Sequence, residues 1–294
     1  MSYLEPAESP YRVPFDASFR VADAPTNPTG ANAEDGKKQH KRALRSIVEG
    51  IRTKQEAMYA EDRWSLLLIF QAMDAAGKDG TIEKVTRGVN PAGFQVSSFK
   101  KPSAEELDHD FLWRIARRTP ERGRIGVFNR SHYEEVLAVK VHPEYLGGQN
   151  LPGSTPPETI FEERYASIRE FERHLARSGT VILKFWLNVS HDEQRRRFLD
   201  RIDEPESRWK FNPGDVHERG FWNEYMSAYE TALNETSRPW APWYAIPADD
   251  KPFMRRTVAE LVLRTMERMD PQYPTLSAEE EAELLRFRAA LVDD

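Results

Sequence analysis

With 294 residues and no cysteine, the chain has the length of one large α/β domain or two small ones, and it can form neither a disulfide nor a cysteine–metal site. Its net charge of −6 at pH 7 argues against general nucleic-acid binding but allows a local cationic groove for an anionic ligand. The first ten residues hold no basic region followed by an apolar run and no apolar run approaches a membrane span, so a reducing cytoplasm is expected.

Residues 1–36 are rich in Pro, Ala, Asn and Gly without periodicity and read as an extended arm. Residues 37–63 form a helical pattern, with Leu44, Ile47, Val48, Ile51, Met58 and Tyr59 on one face. Residues 66–70 are a buried-strand run. Four more strands are predicted over 94–99, 125–129, 181–189 and 243–247. Helical patterns over 103–118, 158–177, 191–202, 221–235 and 252–269 separate them, and a last one covers 276–292. Strands alternating with helices imply a central parallel five-stranded sheet covered on both faces, a three-layer α/β fold. The turn-rich stretch 147–157 is a long loop within it. We therefore expect one domain over 37–270, preceded by the arm and followed by a helical tail over 271–294.

In such a sheet, ligands sit beyond the carboxyl ends of the strands. The first strand leads into Ala72-Met73-Asp74-Ala75-Ala76-Gly77-Lys78-Asp79-Gly80-Thr81, and a helical pattern follows at once. Strand, small-residue turn, lysine and helix put backbone N–H groups and a helix N-terminus around a phosphate. This is an imperfect Walker A phosphate loop (P-loop), with Ala72 at the first glycine position and Asp79 at the hydroxyl position. The backbone from Ala75 to Gly80 would cradle phosphate, Lys78 would supply a point charge and Thr81 a hydroxyl. A carboxylate in a phosphate cradle repels a bare ligand, so Asp74 either holds Mg²⁺ or orients an acceptor phosphate. The bland reading is a solvated turn.

The third strand ends at Asn129-Arg130-Ser131-His132-Tyr133-Glu134-Glu135. A strand-end carboxylate commonly holds the metal in a nucleotide site; Asn129 is neutral, so Glu134 or Glu135 would supply the charge, and Arg130 could bind a phosphate oxygen bidentately. The alternative is a capped helix start. Further on, Arg195, Arg196, Arg197 and Arg201 crowd one helix, followed by a loop carrying Trp209 and Lys210. They form either a solvated face or a cationic lid, over about residues 195–220, that closes on phosphates. His132, His142 and His191 lack metal-ligand spacing, and the stripe Trp222, Tyr225, Met226, Tyr229, Leu233 reads as core.

The runs 74–81 and 128–135, the segment from Arg196 to Trp209-Lys210, Pro242-Trp243 and Asp249-Asp250-Lys251 together resemble the polyphosphate kinase 2 family over residues 37–269. The resemblance implies a P-loop kinase fold like that of thymidylate kinase. It implies transfer of phosphate between inorganic polyphosphate and a nucleotide, with magnesium, or manganese in its place, and a homo-oligomer, dimer or tetramer. Ala72 and the Asn129–Glu134 run are similar to class III members, which phosphorylate both AMP and ADP, giving ADP and ATP. Carried over, Asp74 is the loop carboxylate, Lys78 the phosphate lysine, Arg130 the second-motif arginine, and Arg195, Arg196, Arg197, Arg201 and Lys210 the lid cations. Asp74 and Glu134 become the metal ligands. Lys100, Lys101, Arg114, Arg117 and Arg118 become candidates for tracking the polyphosphate. Nucleic acid and membrane are not expected partners.

The chemistry agrees with the residues present. An acceptor phosphate is already an anionic nucleophile, so catalysis reduces to positioning and charge neutralisation. The sequence supplies lysines, arginines and a few carboxylates but no convincing general base. Two rivals remain: an ATP-dependent nucleoside monophosphate kinase, against which Asp79 counts, and a nucleotide-dependent binding scaffold, which would have lost Lys78 or the lid arginines.

Overall fold

The computed structural model describes residues 3–153 and 155–292. In chain order the elements are α1 (Lys37–Glu61), β1 (Ser65–Gln71), α2 (Lys78–Val85), β2 (Phe94–Ser98), the short α3 (Ala104–Leu107) and α4 (Trp113–Ala116), and β3 (Ile125–Asn129). They continue with α5 (Ala138–Val141), α6 (Pro157–Arg177), β4 (Thr180–Asn188), α7 (His191–Asp203), α8 (Pro213–Glu218), α9 (Trp222–Thr236), β5 (Trp243–Pro247), α10 (Lys251–Met269) and α11 (Ala278–Val292).

The five strands form one parallel sheet in the order β2-β3-β1-β4-β5. β1 and β4 are buried along their whole length. This is why they read as continuous apolar runs: a strand covered on both faces has no reason to alternate. α1, α2 and α10 pack together on one side, and α5, α6 and α9 on the other. The largest fully buried side chains include Trp186, Trp243, Tyr133, Tyr244, Phe70 and Phe128.

Two features differ from the sequence reading. The helix expected over 103–118 is broken into α3 and α4. Asp110 Oδ1 accepts a hydrogen bond from the Leu112 amide (2.9 Å), forming a side-chain turn where the helical ladder would continue. The His109 ring stacks on Trp113 at 3.8 Å across the same break. The arm, in turn, is bonded to the body. Val13 N donates to Trp243 O (2.9 Å) and Ala245 N to Tyr11 O (2.8 Å), so the arm covers the open edge of β5. Ala7 and Val13 are buried there, and the Tyr244 hydroxyl donates to Ala7 O (2.6 Å).

Candidate active site

β1 delivers the chain to the phosphate loop at the centre of the sheet. The turn needs two left-handed residues, Ala75 (φ 62°) and Gly77 (φ 104°), and α2 opens at Lys78 directly after them. A Cβ at Gly77 would press on Met254 Cε at 3.3 Å in a conformation that L side chains avoid. Thr81 is fully buried, and its hydroxyl donates to Gly77 O (2.9 Å). It braces the turn and offers nothing to a ligand in this arrangement. Lys78 Nζ donates to Ala72 O (2.7 Å), folded back over the loop. Burial lowers its pKa, against the attraction of Asp74.

The turn after β3 faces the loop. Arg130, also left-handed (φ 62°), donates through Nη2 to Asp74 Oδ1 (2.8 Å), and its Nη1 lies 3.7 Å from Glu134 Oε2. These carboxylates, Glu134 foremost, raise the Arg130 pKa against its burial. With its amide oriented by the surrounding hydrogen bonds, Gln71 donates to Glu134 Oε1 (3.0 Å) and accepts from the Ser131 amide (3.2 Å). The two candidate carboxylates, Glu134 and Glu135, point in different directions. Glu134 faces Arg130, whereas Glu135 is buried against Arg164 at 3.2 Å. Asn129 donates to Asp79 Oδ1 (2.6 Å), joining the β3 end to the loop.

Beneath this turn lies a buried charged cluster. Lys184 Nζ, on β4, donates to Glu172 Oε2 (2.6 Å), the Tyr133 hydroxyl (2.8 Å) and Thr236 O (2.8 Å). Tyr133 in turn donates to Glu172 Oε1 (2.8 Å), and His132 Nε2 stands 3.4 Å from the same oxygen. Burial lowers the His132 pKa and favours its neutral form. The histidine two residues after Arg130 thus points into the core.

α7 separates its arginines by direction. Arg197 is buried and donates through Nη1 to Ala76 O (2.7 Å) and Ala75 O (3.2 Å), through Nη2 to Ala248 O (2.6 Å) and Asp249 O (3.1 Å), and through Nε to Glu193 (2.7 Å). In this arrangement it staples the loop to the β5 end. Arg195 and Arg196 face away from the loop, in exposed ion pairs with Asp192 (3.5 Å) and with Glu193 (2.6 Å) and Asp200 (2.7 Å). Of the four, only Arg201 reaches towards α8, 3.3 Å from Asp215. The side chain of Lys210 lies outside the described residues.

Two cavities meet here. One, of about 760 Å³, is lined by the loop (Asp74, Ala75, Gly77, Lys78, Asp79, Gly80) and by Lys100, Lys101, Asn129, Arg130, Arg197, Arg201, Trp209, Asp215, Lys251 and Arg255. The other, of about 640 Å³, shares Asp74, Lys100, Lys101, Arg130 and Asp215 and extends to Glu134, Val139, His142, Tyr145 and Tyr225. Tyr225, expected in the core, forms part of this second wall, its hydroxyl donating to Glu218 (2.7 Å). Arg114 borders the second cavity but is buried, donating to Lys100 O (2.9 Å) and so fixing the lysine pair. Ala76, Arg117 and Arg118 line neither cavity. Lys251 and Arg255 do, and the sequence reading did not include them among the site residues. The sequence does signal Lys251, through its place just after the fifth strand, where ligands of parallel sheets are met, and through the Asp249-Asp250-Lys251 run, whereas Arg255 belongs to neither.

Among the described residues no group of three or more His, Cys, Asp or Glu is arranged to hold a metal. A magnesium site needs less, since Mg²⁺ is commonly held by one or two carboxylates with phosphates and waters completing the shell. Asp74 and Glu134, both on Arg130, are a donor set of that kind.

A family model described as Polyphosphate kinase 2 matches residues 34–274. The chain is 52% identical over 259 residues to an ADP-polyphosphate phosphotransferase of Rhodopseudomonas palustris, covering 88% of this chain and 90% of that one. It is 44% identical over 264 residues to an AMP/ADP-polyphosphate phosphotransferase of Meiothermus ruber, covering 90% and 94%. The crystal structure of a polyphosphate kinase 2 from Arthrobacter aurescens superposes with a TM-score of 0.86 at 36% identity, over the full length of both chains. A parallel sheet with a phosphate loop at its centre, matched in sequence and in fold along nearly the whole chain, establishes that the protein belongs to the polyphosphate kinase 2 family.

Proposed function

We propose that the chain transfers the terminal phosphoryl group of inorganic polyphosphate to ADP and AMP, reversibly, giving ATP and ADP. The observation that carries this reading is the junction of the two cavities at Asp74, Arg130, Lys100 and Lys101. The loop cavity carries more cations than carboxylates, the latter being Asp74, Asp79, Asp200, Glu204 and Asp215, and suits a phosphate chain. The second offers Tyr145, Tyr225 and Val139, faces against which a nucleobase can pack. Their meeting point brings an acceptor phosphate against the end of a donor chain, and no base is required there.

In this reading Lys78 and Arg130 neutralise the transferring group, while Gly77, Asp79 and Gly80 supply backbone N–H groups. Arg201, carried towards α8, excludes water as the lid settles. Asp74 and Glu134 would hold Mg²⁺, or Mn²⁺ in its place, which would offset the negative charge of the phosphates there. A homo-oligomer, dimer or tetramer, is supported by α11, on which Leu285, Phe287, Leu291 and Val292 are all more than half exposed. Zero cysteines support a cytoplasmic setting, and no described helix is long and apolar enough to cross a membrane.

The test is to mix the protein with Mg²⁺, inorganic polyphosphate and either ADP or AMP, with no ATP added, and to follow nucleotides by chromatography. ATP from ADP, and ADP followed by ATP from AMP, are expected. Turnover of AMP only when ATP is supplied would establish the nucleoside monophosphate kinase instead. Nucleotide binding without turnover of either donor would leave the scaffold.

A further inference from the structure

The loop cavity has a second cationic wall for which the phosphate loop does not account. Lys251 and Arg255 stand one turn apart at the start of α10. The side chain of neither makes an ion pair or hydrogen bond with another described residue. The other arginines of the cavity are engaged: Arg130 with Asp74, Arg197 with Glu193, Arg201 with Asp215. The Arg255 Nε is buried without a partner. Glu83 attracts Arg255, but it is ion-paired with Lys84 at 2.6 Å. Burial and the nearby Arg197 and Arg255 together draw the Lys251 pKa down, Glu193 alone pulling the other way. A Cβ at Gly80 would stand 2.8 Å from Arg255 Nη2, so the guanidinium lies over the first turn of α2, beside the loop. Like charges held together in a half-buried wall are costly until an anion reaches them.

Topology gives that anion a length. Lys100 and Lys101 follow β2, and Lys251 follows β5; these strands are the two edges of the sheet, with the phosphate loop after the central β1. Four inter-strand spacings separate the edges, about 19 Å. The two or three phosphates of a nucleotide are far shorter than that.

We propose that Lys251 and Arg255 form a distal subsite for a polyphosphate chain long enough to cross the sheet, its reacting end at Lys100, Lys101 and Arg130 and its body lying over the loop. The subsite rests on polyphosphate being the donor. It selects for chain length: tripolyphosphate occupies the junction and the loop, whereas longer chains gain the second pair of cations.

The test is calorimetric binding of tripolyphosphate and of a size-fractionated long-chain polyphosphate, without nucleotide, to the wild type and to Lys251→Gln/Arg255→Gln. The double variant should lose roughly tenfold or more in affinity for the long chain. Its affinity for tripolyphosphate should stay within about twofold. Arg255→Lys, tested alone, should keep most of the length dependence because it keeps the charge. Unfolding midpoints should match or exceed the wild type, since the change removes repulsion. An equal loss for both lengths would make the pair a support of the loop, and no loss for either would remove it from the chain's path; each result overturns the subsite. A wild type that transfers no phosphoryl group from polyphosphate to ADP or AMP would instead overturn the donor reading, and the two failures are told apart by that assay.

Discussion

At the residue scale, α7 shows how four identical side chains acquire different work from their angular position. Arg196 lies in exposed ion pairs with Glu193 and Asp200, whereas Arg197, one residue on, saturates four backbone carbonyls and a carboxylate. Removing Arg197 strands the carbonyls of Ala75, Ala76, Ala248 and Asp249 and leaves Glu193 half paired. Arg197→Ala should therefore cost about 2–4 kcal/mol in urea unfolding. Exposed pairs are screened by solvent, so Arg196→Ala should cost about 0.5 kcal/mol or less in the same measurement. Equal costs would mean that the staple carries no load. Lys78 allows a test of charge. Burial lowers its pKa, and phosphate binding needs its protonated form. The kcat/KM for polyphosphate should thus fall on the alkaline side at a pH below the ordinary lysine value of about 10.4. Lys78→Arg should carry that limb out of the measurable range. A limb that stays in place in this variant belongs to another group.

At the scale of elements, the turn after β3 holds Arg130 and Glu134 in register because two of the residues between them are anchored in the core. His132 and Tyr133 reach Glu172 on α6, and Glu172 is ion-paired with Lys184 on β4. Glu172→Gln leaves an ammonium buried opposite a neutral amide and should destabilise the protein by about 3–5 kcal/mol. Glu172→Gln/Lys184→Met, which removes both charges, should recover a large part of that loss. Chemical denaturation of the two variants decides it, and a double variant no more stable than the single one would show that the charge pair is not what anchors the turn. This anchor is invisible in sequence. Glu172 sits within an ordinary helical pattern and Lys184 inside a strand of apolar residues, and only the fold brings them together. Much else at this scale was legible. β1, β3, β4 and β5 could be placed because parallel strands buried on both faces give nearly unbroken apolar runs, whereas the edge strand β2, Phe94–Ser98, is partly exposed and mixes apolar with polar residues. The broken helix over 103–118 was not legible, since its break depends on the Asp110 side chain and the His109–Trp113 stack rather than on periodicity.

At the scale of the whole molecule, the sites that a motif could reveal were those where chemistry and sequence are contiguous: the loop from Asp74 to Thr81 and the turn around Arg130. Lys251 and Arg255, Gln71 behind Glu134, and the division between the two cavities all arise from strand order, which spacing along the chain does not encode. The same order governs the field. The chain carries a net charge of −6, yet Lys78, Lys100, Lys101, Arg130, Lys251 and Arg255 converge on one cavity beyond the strand ends. A negative net charge around a cationic cleft opposes the long-range approach of a polyanion while the cleft attracts it, so capture should depend on the cleft's field more than on the net charge. Raising NaCl from about 50 to about 500 mM shortens the screening length from roughly 14 Å to roughly 4 Å, less than the span of the cleft. The kcat/KM for long-chain polyphosphate should then fall steeply, while kcat at saturating polyphosphate, set by groups in contact with the transferring phosphoryl, should change little. If kcat/KM held constant across that range, the cations would act only by contact; if kcat fell in parallel, salt would be disturbing the junction at Asp74 and Arg130 rather than the approach of the chain.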